Sequence, residues 1–281
     1  MNNSVFVEIC VDSVESAQAA ERGGAHRVEL CSDLLEGGVT PSAGLIETVR
    51  RSVRVGVHVI IRPRGGDFCY TADEFESMKR DVLTAKHLRT DGVVFGMLKE
   101  NGHVDIGRTR ALVELAHPLN TTFHRAFDMS CDLKQALEDI IQAGMNRVLT
   151  SGGEQNAEDG IATIAGLVAA AKNRIAVMVG GGIRETNVRR ILVETGAREI
   201  HANIAHSIPS PMEYRNNKIS LGAGKGREYQ RVVVPPDRVR RLLEAASTGD
   251  LTPGIETRPD HQRTGRGEVW RSDDQDPAGD L

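Results

Sequence analysis

Val5-Phe6-Val7-Glu8-Ile9-Cys10 begins the regular part of this chain, and Val28-Glu29-Leu30-Cys31 repeats its pattern in the next regular segment. In both, one parity is aliphatic and the other carries a carboxylate and a thiol. Strand side chains alternate between faces, so each stretch reads as a strand with an apolar face under helices and a polar face directed inward. Val57-His58-Val59-Ile60-Ile61-Arg62, Phe123-His124-Arg125-Ala126-Phe127-Asp128 and Ile200-His201-Ala202-Asn203 follow the same rule. Polar groups converging on the inward face at strand ends are what a reaction or ligand site requires.

Outward from these stretches, strand-like and helix-like segments alternate along the chain. Strands are expected over Val5–Val11, Arg27–Ser32, Val57–Arg62, Gly92–Leu98, Asn120–Asp128, Arg147–Thr150, Arg174–Val179 and Glu199–Ile204. The intervening helices carry start and stop signals: Asp12 or Ser13 before the first, Gly23-Gly24 after it, and Thr71 with Glu74 as a capping box. Alternation of this kind specifies a parallel sheet with helical crossovers, and eight units favour closure into a single (β/α)8 TIM-type barrel. None of the eight strands carries the Lys, Pro or polar dilution that blunts an exposed edge, which also favours closure. The 281-residue length accommodates such a barrel, which typically takes about 250 residues. We expect the barrel to span residues 1–247. From Thr248 to Leu281 the chain has scarcely an aliphatic residue, and this stretch, Trp270 included, reads as a disordered tail.

Composition removes several classes of function. A formal net charge of -4 with mixed signs offers no basic field for nucleic acid or an anionic membrane. No apolar run approaches transmembrane length and Met1–Ser4 precede a strand directly, so a cytoplasmic protein is expected. Four scattered cysteines, Cys10, Cys31, Cys69 and Cys131, are too few for a disulfide framework and read as reduced thiols. No Lys sits at an inward strand end for Schiff-base chemistry. No Gly-x-Gly-x-x-Gly fingerprint supports a nucleotide cofactor, and no Ser-His-Asp hydrolase elbow is present.

Two constellations remain. Cys10 and Cys31 fall on adjacent strands at the barrel's carboxyl end, where two thiolates would suit Cu(I), a soft ion that prefers sulfur ligands. Cys69, in the Gly-rich loop after the third strand, is a candidate third ligand. A free Cys is equally at home as a small buried hydrophobe. The second constellation is charged: Glu8, Glu29, Arg62, His124, Asp128 and His201 all take the inward parity and are candidate catalytic residues, supplying an acid, a base and an anion clamp. The structural alternative is that Glu8 or Glu29 merely pairs with Arg62. Ser151-Gly152-Gly153 and Gly180-Gly181-Gly182, at the ends of the sixth and seventh strands, offer backbone amides for a small anionic ligand, or serve only as tight turns.

Four motifs, taken together, resemble the CutC copper homeostasis family: Val28-Glu29-Leu30-Cys31-Ser32-Asp33-Leu34 with Gly37-Gly38-Val39-Thr40-Pro41-Ser42, then Ile61-Arg62-Pro63-Arg64-Gly65-Gly66-Asp67-Phe68, Thr122-Phe123-His124-Arg125-Ala126-Phe127-Asp128, and Leu149-Thr150-Ser151-Gly152-Gly153. The resemblance runs in order from Glu8 to about Tyr229. It implies a (β/α)8 barrel, a cytoplasmic homo-oligomer and a copper ion as partner. Asn203, where the family often has Ser after His201, and the residues beyond Thr248 depart from the pattern. Three kinds of function therefore stand: a Cu(I)-binding homeostasis protein, an enzyme acting on a small anionic substrate, and a scaffold whose charges pair internally.

Overall fold

The expected alternation resolves into eight short strands: β1 (Phe6–Val11), β2 (Arg27–Leu30), β3 (Gly56–Ile60), β4 (Gly92–Phe95), β5 (Asn120–Phe123), β6 (Arg147–Thr150), β7 (Ala176–Val179) and β8 (Glu199–Ala202). Each pairs in parallel with the next, and β1 also pairs with β8, so the sheet closes and has no edge. The computed structural model describes residues 5–221 and 226–247. The 248–281 segment expected to be a disordered tail lies outside the described residues.

Seven helices cross between consecutive strands: α1 (Val14–Arg22), α2 (Ala43–Ser52), α3 (Ala72–His87), α4 (Ile106–Ala116), α5 (Leu133–Ala143), α6 (Ile161–Ala171) and α7 (Val188–Thr195). Their starts follow from side-chain caps. Ser13 accepts from the Ser16 amide, Ser42 from Leu45, and Thr71 from Glu74, while the Glu74 carboxylate accepts in return from the Thr71 amide. The outward strand parity, including Val7, Ile9, Val28, Leu30, Phe95 and Phe123, is sealed beneath these helices. Burying each such side chain contributes about 1.5–3 kcal/mol. Among the described residues, no helix is long and apolar enough to cross a membrane.

Several strands end earlier than expected, β3 at Ile60 instead of Arg62 and β4 at Phe95 instead of Leu98, and two larger features depart from expectation. The fifth strand stops at Phe123 instead of continuing to Asp128, because the His124 ring turns back to accept the Ala126 amide at 3.1 Å and caps a 3-10 helix over Arg125–Met129. Between β8 and α8 (Pro236–Ser247) the chain also forms an antiparallel pair, β9 (His206–Pro209) with β10 (Gln230–Val233). Most residues of that pair are exposed, so no buried parity marks them as strands.

The barrel interior is polar. Arg27 on β2 binds Glu8 on β1 and Glu199 on β8, the latter at 3.2 Å, and approaches the Met178 sulfur on β7 at 3.3 Å. Arg147 on β6 shares Glu199 and donates to Thr122 on β5 at 3.4 Å. Two guanidinium groups and two carboxylates thereby neutralise one another where branched aliphatic residues usually fill such a barrel. His58 on β3 is buried beside this network, and burial followed by the Arg27 charge holds its pKa well below the ordinary imidazole value. The ring fits because β4 begins with glycine: a Cβ on Gly92 would lie 2.5 Å from His58 Nε2.

Candidate metal centre

At the carboxyl ends of β1 and β2, strand register places Cys10 opposite Glu29, while the Cys31 amide donates to the Val11 carbonyl at 2.9 Å. The two thiols are thus diagonal neighbours, and their sulfurs lie 3.9 Å apart. Cys31 Sγ is also 3.4 Å from Glu29 Oε2. Both cysteines are buried against Ile60 and Leu34. Cys10, Glu29 and Cys31 present three ligand atoms within 4.8 Å of one another.

His201, on β8 beside β1, joins this cluster to the network below. Its Nδ1 is 2.7 Å from Glu8 Oε1 and its Nε2 is 3.8 Å from Glu29 Oε2. Glu8, Glu29 and His201 form a second group of three ligand atoms within the same spacing. The strands converge on this corner because closure brings β8 back against β1, a contact between residues almost two hundred positions apart in sequence.

Environment separates the protonation states. Burial raises the Glu8 pKa, but the adjacent Arg27 charge and the His201 bond overcome it and hold that carboxyl well below its ordinary range. Glu29 has no guanidinium beside it, and burial pushes it up to about 8. The hydrogen bond from Cys31 brings the Cys10 thiol down to about 6, aided by His201 and opposed by burial. That same bond, together with burial, drives Cys31 upward. Burial disfavours a charged His201, yet the neighbouring Glu29, Cys10 and Glu8 raise its pKa well above the ordinary imidazole value. Near neutral pH the corner therefore holds a Cys10 thiolate and a Glu8 carboxylate against the His201 and Arg27 cations, with Glu29 and Cys31 protonated.

The remaining candidate residues lie elsewhere. Arg62 pairs with neither Glu8 nor Glu29; Arg27 takes that role, and the Arg62 guanidinium donates to the carbonyls of Glu36, Gly38 and Gly66. His124 sits across the mouth, held by burial and the Arg62 charge at a pKa of about 3. Asp128 pairs with Arg125 and accepts from the Thr150 hydroxyl, the Ser151 amide and hydroxyl, and the Gly153 amide. The Gly152 amide donates to Thr150 Oγ1 and the Gly180 amide to the Thr150 carbonyl. Around β6, the amides suited to an anion thus already hold one, the chain's own Asp128. In the next loop, the Gly181 and Gly182 carbonyls accept from Ala157 and Asn187. Cys69 joins neither ligand group among the described residues, and Cys131 is exposed.

Arg27, Arg147 and Glu199 are not among the expected site residues, although each lies on an expected strand and shares its inward parity. The signal was present: Arg27 is two residues before Glu29, and Glu199 two before His201. They lie at strand starts rather than strand ends, where charge is also expensive to bury unless it is paired.

A model of the CutC family matches residues 5–206. The chain is 50% identical over 241 residues to the mouse copper homeostasis protein cutC homolog, covering 85% of this chain and 89% of that one. It is 48% identical over 241 residues to the human homolog, with coverage of 85% and 88%. A CutC family protein of Chromobacterium violaceum is 45% identical over 240 residues, covering 85% of this chain and 97% of its own. Among solved structures, CutC from Streptococcus agalactiae superposes with a TM-score of 0.67 at 34% identity, covering 70% of this chain and 97% of that one. Phosphoribosylanthranilate isomerase from Thermotoga maritima, at 12% identity, has a TM-score of 0.53 over 86% of this chain and 98% of that one, a likeness of fold alone.

Proposed function

Since the chain belongs to the CutC family of copper homeostasis proteins, we propose that it binds Cu(I) through the thiols of Cys10 and Cys31 at the carboxyl end of the barrel. The observation that carries this reading is the buried thiol pair, 3.9 Å apart. The donor set fits the ion: thiolates suit soft Cu(I), whereas hard cations such as Mg(II) or Ca(II) require several oxygens. Metal binding needs deprotonated sulfur, and Cys10, with a pKa near 6, supplies it at neutral pH. Its charge is balanced by His201, which Glu8 orients. Cys31 gives up its proton to solvent when the ion binds, as thiol ligands do, so binding should release a proton.

The test is an anaerobic titration of the reduced protein with Cu(I) against a competing chelator. The expected result is one tight equivalent in the wild type and in Cys69→Ser, with affinity lost in Cys10→Ser/Cys31→Ser. Equal affinity in the wild type and the double variant overturns the reading.

One observation favours a second reading, an enzyme acting on a small anionic substrate. Glu8 and Glu29 are driven to opposite protonation states on either side of His201, the division of labour that general acid–base catalysis uses. A thermal-shift screen of small metabolites tests it. A ligand that stabilises the wild type but not Glu29→Gln supports it, and the absence of any such ligand counts against it.

A further inference from the structure

Where the chain leaves β3 and β5, the structure holds buried hydrogen-bond donors with unpartnered atoms among the described residues, separated from the Cys31 sulfur by Gly38. Arg62 is 6% exposed, and the bonds made by its guanidinium all end on backbone carbonyls. Unlike the buried Arg27 and Arg147, it forms no ion pair with a carboxylate among the described residues. Its Nε has no hydrogen-bond partner among the described residues. His124 Nε2 is equally unpartnered, and because Nδ1 accepts the Ala126 amide, the ring of this neutral histidine carries its proton on Nε2. The Tyr70 hydroxyl is a third buried group with no hydrogen-bond partner of good geometry among the described residues, and it lies close enough to the Arg62 guanidinium to feel it. Burial keeps that phenol protonated, so it too can donate. Phe68 links two of them: the Arg62 guanidinium and the His124 ring each lie 5.1 Å from its centroid.

Buried polar groups in native proteins are nearly always satisfied, and a buried charge is paired or neutralised. A cation and a neutral donor around the Phe68 ring, with the Tyr70 hydroxyl beside the cation and no carboxylate pairing with it among the described residues, make an environment short of an acceptor. We propose that Arg62, Tyr70 and His124 form a binding site for a small carboxylate monoanion, which reaches them by displacing the Phe68 ring. One formal positive charge and three donor atoms match a carboxylate's single charge and two oxygens, whereas a phosphate dianion would leave a buried charge unmatched. The site is separate from the thiol pair and does not depend on copper.

The full-length, copper-free protein can be titrated with acetate and with pyruvate by calorimetry, at constant ionic strength in chloride, with inorganic phosphate in parallel. Saturable binding of a carboxylate in preference to phosphate is expected. Tyr70→Phe removes only an unpartnered hydroxyl, so it should leave the thermal midpoint of the free protein unchanged and weaken carboxylate binding about tenfold. Arg62→Lys, which keeps the charge but loses the Nε donor, should weaken it at least as much. Cys10→Ser/Cys31→Ser should bind as the wild type does. The proposal is overturned if the wild type shows no saturable carboxylate binding or prefers phosphate. It is likewise overturned if Tyr70→Phe and Arg62→Lys bind like the wild type, or if the cysteine double variant loses binding.

Discussion

The two sides of the barrel mouth carry equally polar sequences and opposite states of satisfaction. Around β5 and β6, Asp128 takes an ion pair from Arg125, two hydroxyl donors and two amides, so its valences are filled by the chain itself. Around β1, β2 and β8, two thiols face each other across 3.9 Å, and Glu29 has no guanidinium partner. The first arrangement ties two loops together. The second leaves two thiols and a carboxyl with few partners from the chain, as the proposed Cu(I) site requires. Polarity at a strand end is therefore not what separates a site from a strut; the separation lies in whether the structure has already supplied the partners.

The sharpest way to break that comparison is to remove Asp128. Asp128→Ala removes the acceptor of the Thr150, Ser151 and Gly153 donors and the ion-pair partner of a partly exposed Arg125, and should cost about 3 kcal/mol in urea unfolding. A loss below about 1 kcal/mol would show that the β5–β6 side is no strut. On the thiol side the expectation inverts. Cys10→Ser/Cys31→Ser should lower Cu(I) affinity by about two orders of magnitude, or about 2.7 kcal/mol, with the barrel still folded by circular dichroism. Global unfolding of that variant would place the thiols among the struts.

Glu29 tests the protonation pattern. Its folded pKa of about 8 exceeds the ordinary 4.5, so the native state holds an extra proton between those values, and this group makes the protein less stable as pH rises through that window. Glu29→Gln cannot lose that proton. Its stability relative to the wild type should improve by up to about 1.4 kcal/mol per pH unit from about pH 5 to about pH 8, measured by parallel unfolding series. A pH-independent difference would mean that Glu29 is ionised at neutrality. The smallest effect belongs to Cys69, half-buried in its loop and outside both ligand groups: Cys69→Ser should change neither Cu(I) affinity nor stability by more than about 0.5 kcal/mol.

Much of this was legible along the chain. Glu8, Cys10, Glu29 and Cys31 declared their shared face through period-two alternation, and their neighbourhood followed once β1 and β2 were adjacent. His201 was legible as inward on β8 but not as the partner of Glu8, since that contact exists only because the barrel closes. Arg62 and Asp128 share the inward parity pattern of Glu8, which in the sequence makes them members of one constellation. The chain bends out of the strands before reaching either, so parity had ceased to report direction there.

The sequence by itself determined the eight βα units, their closure, the caps that start the helices and the strand faces that carry thiols and carboxylates, because these depend on local periodicity and short-range hydrogen bonding. Only the tertiary structure decided which charges cancel. Whether Glu8 meets Arg27, whether Asp128 fills its own loop, and whether Arg62 is left without a carboxylate depend on distances across the barrel, and electrostatic pairing falls off over a few ångströms that no sequence spacing encodes.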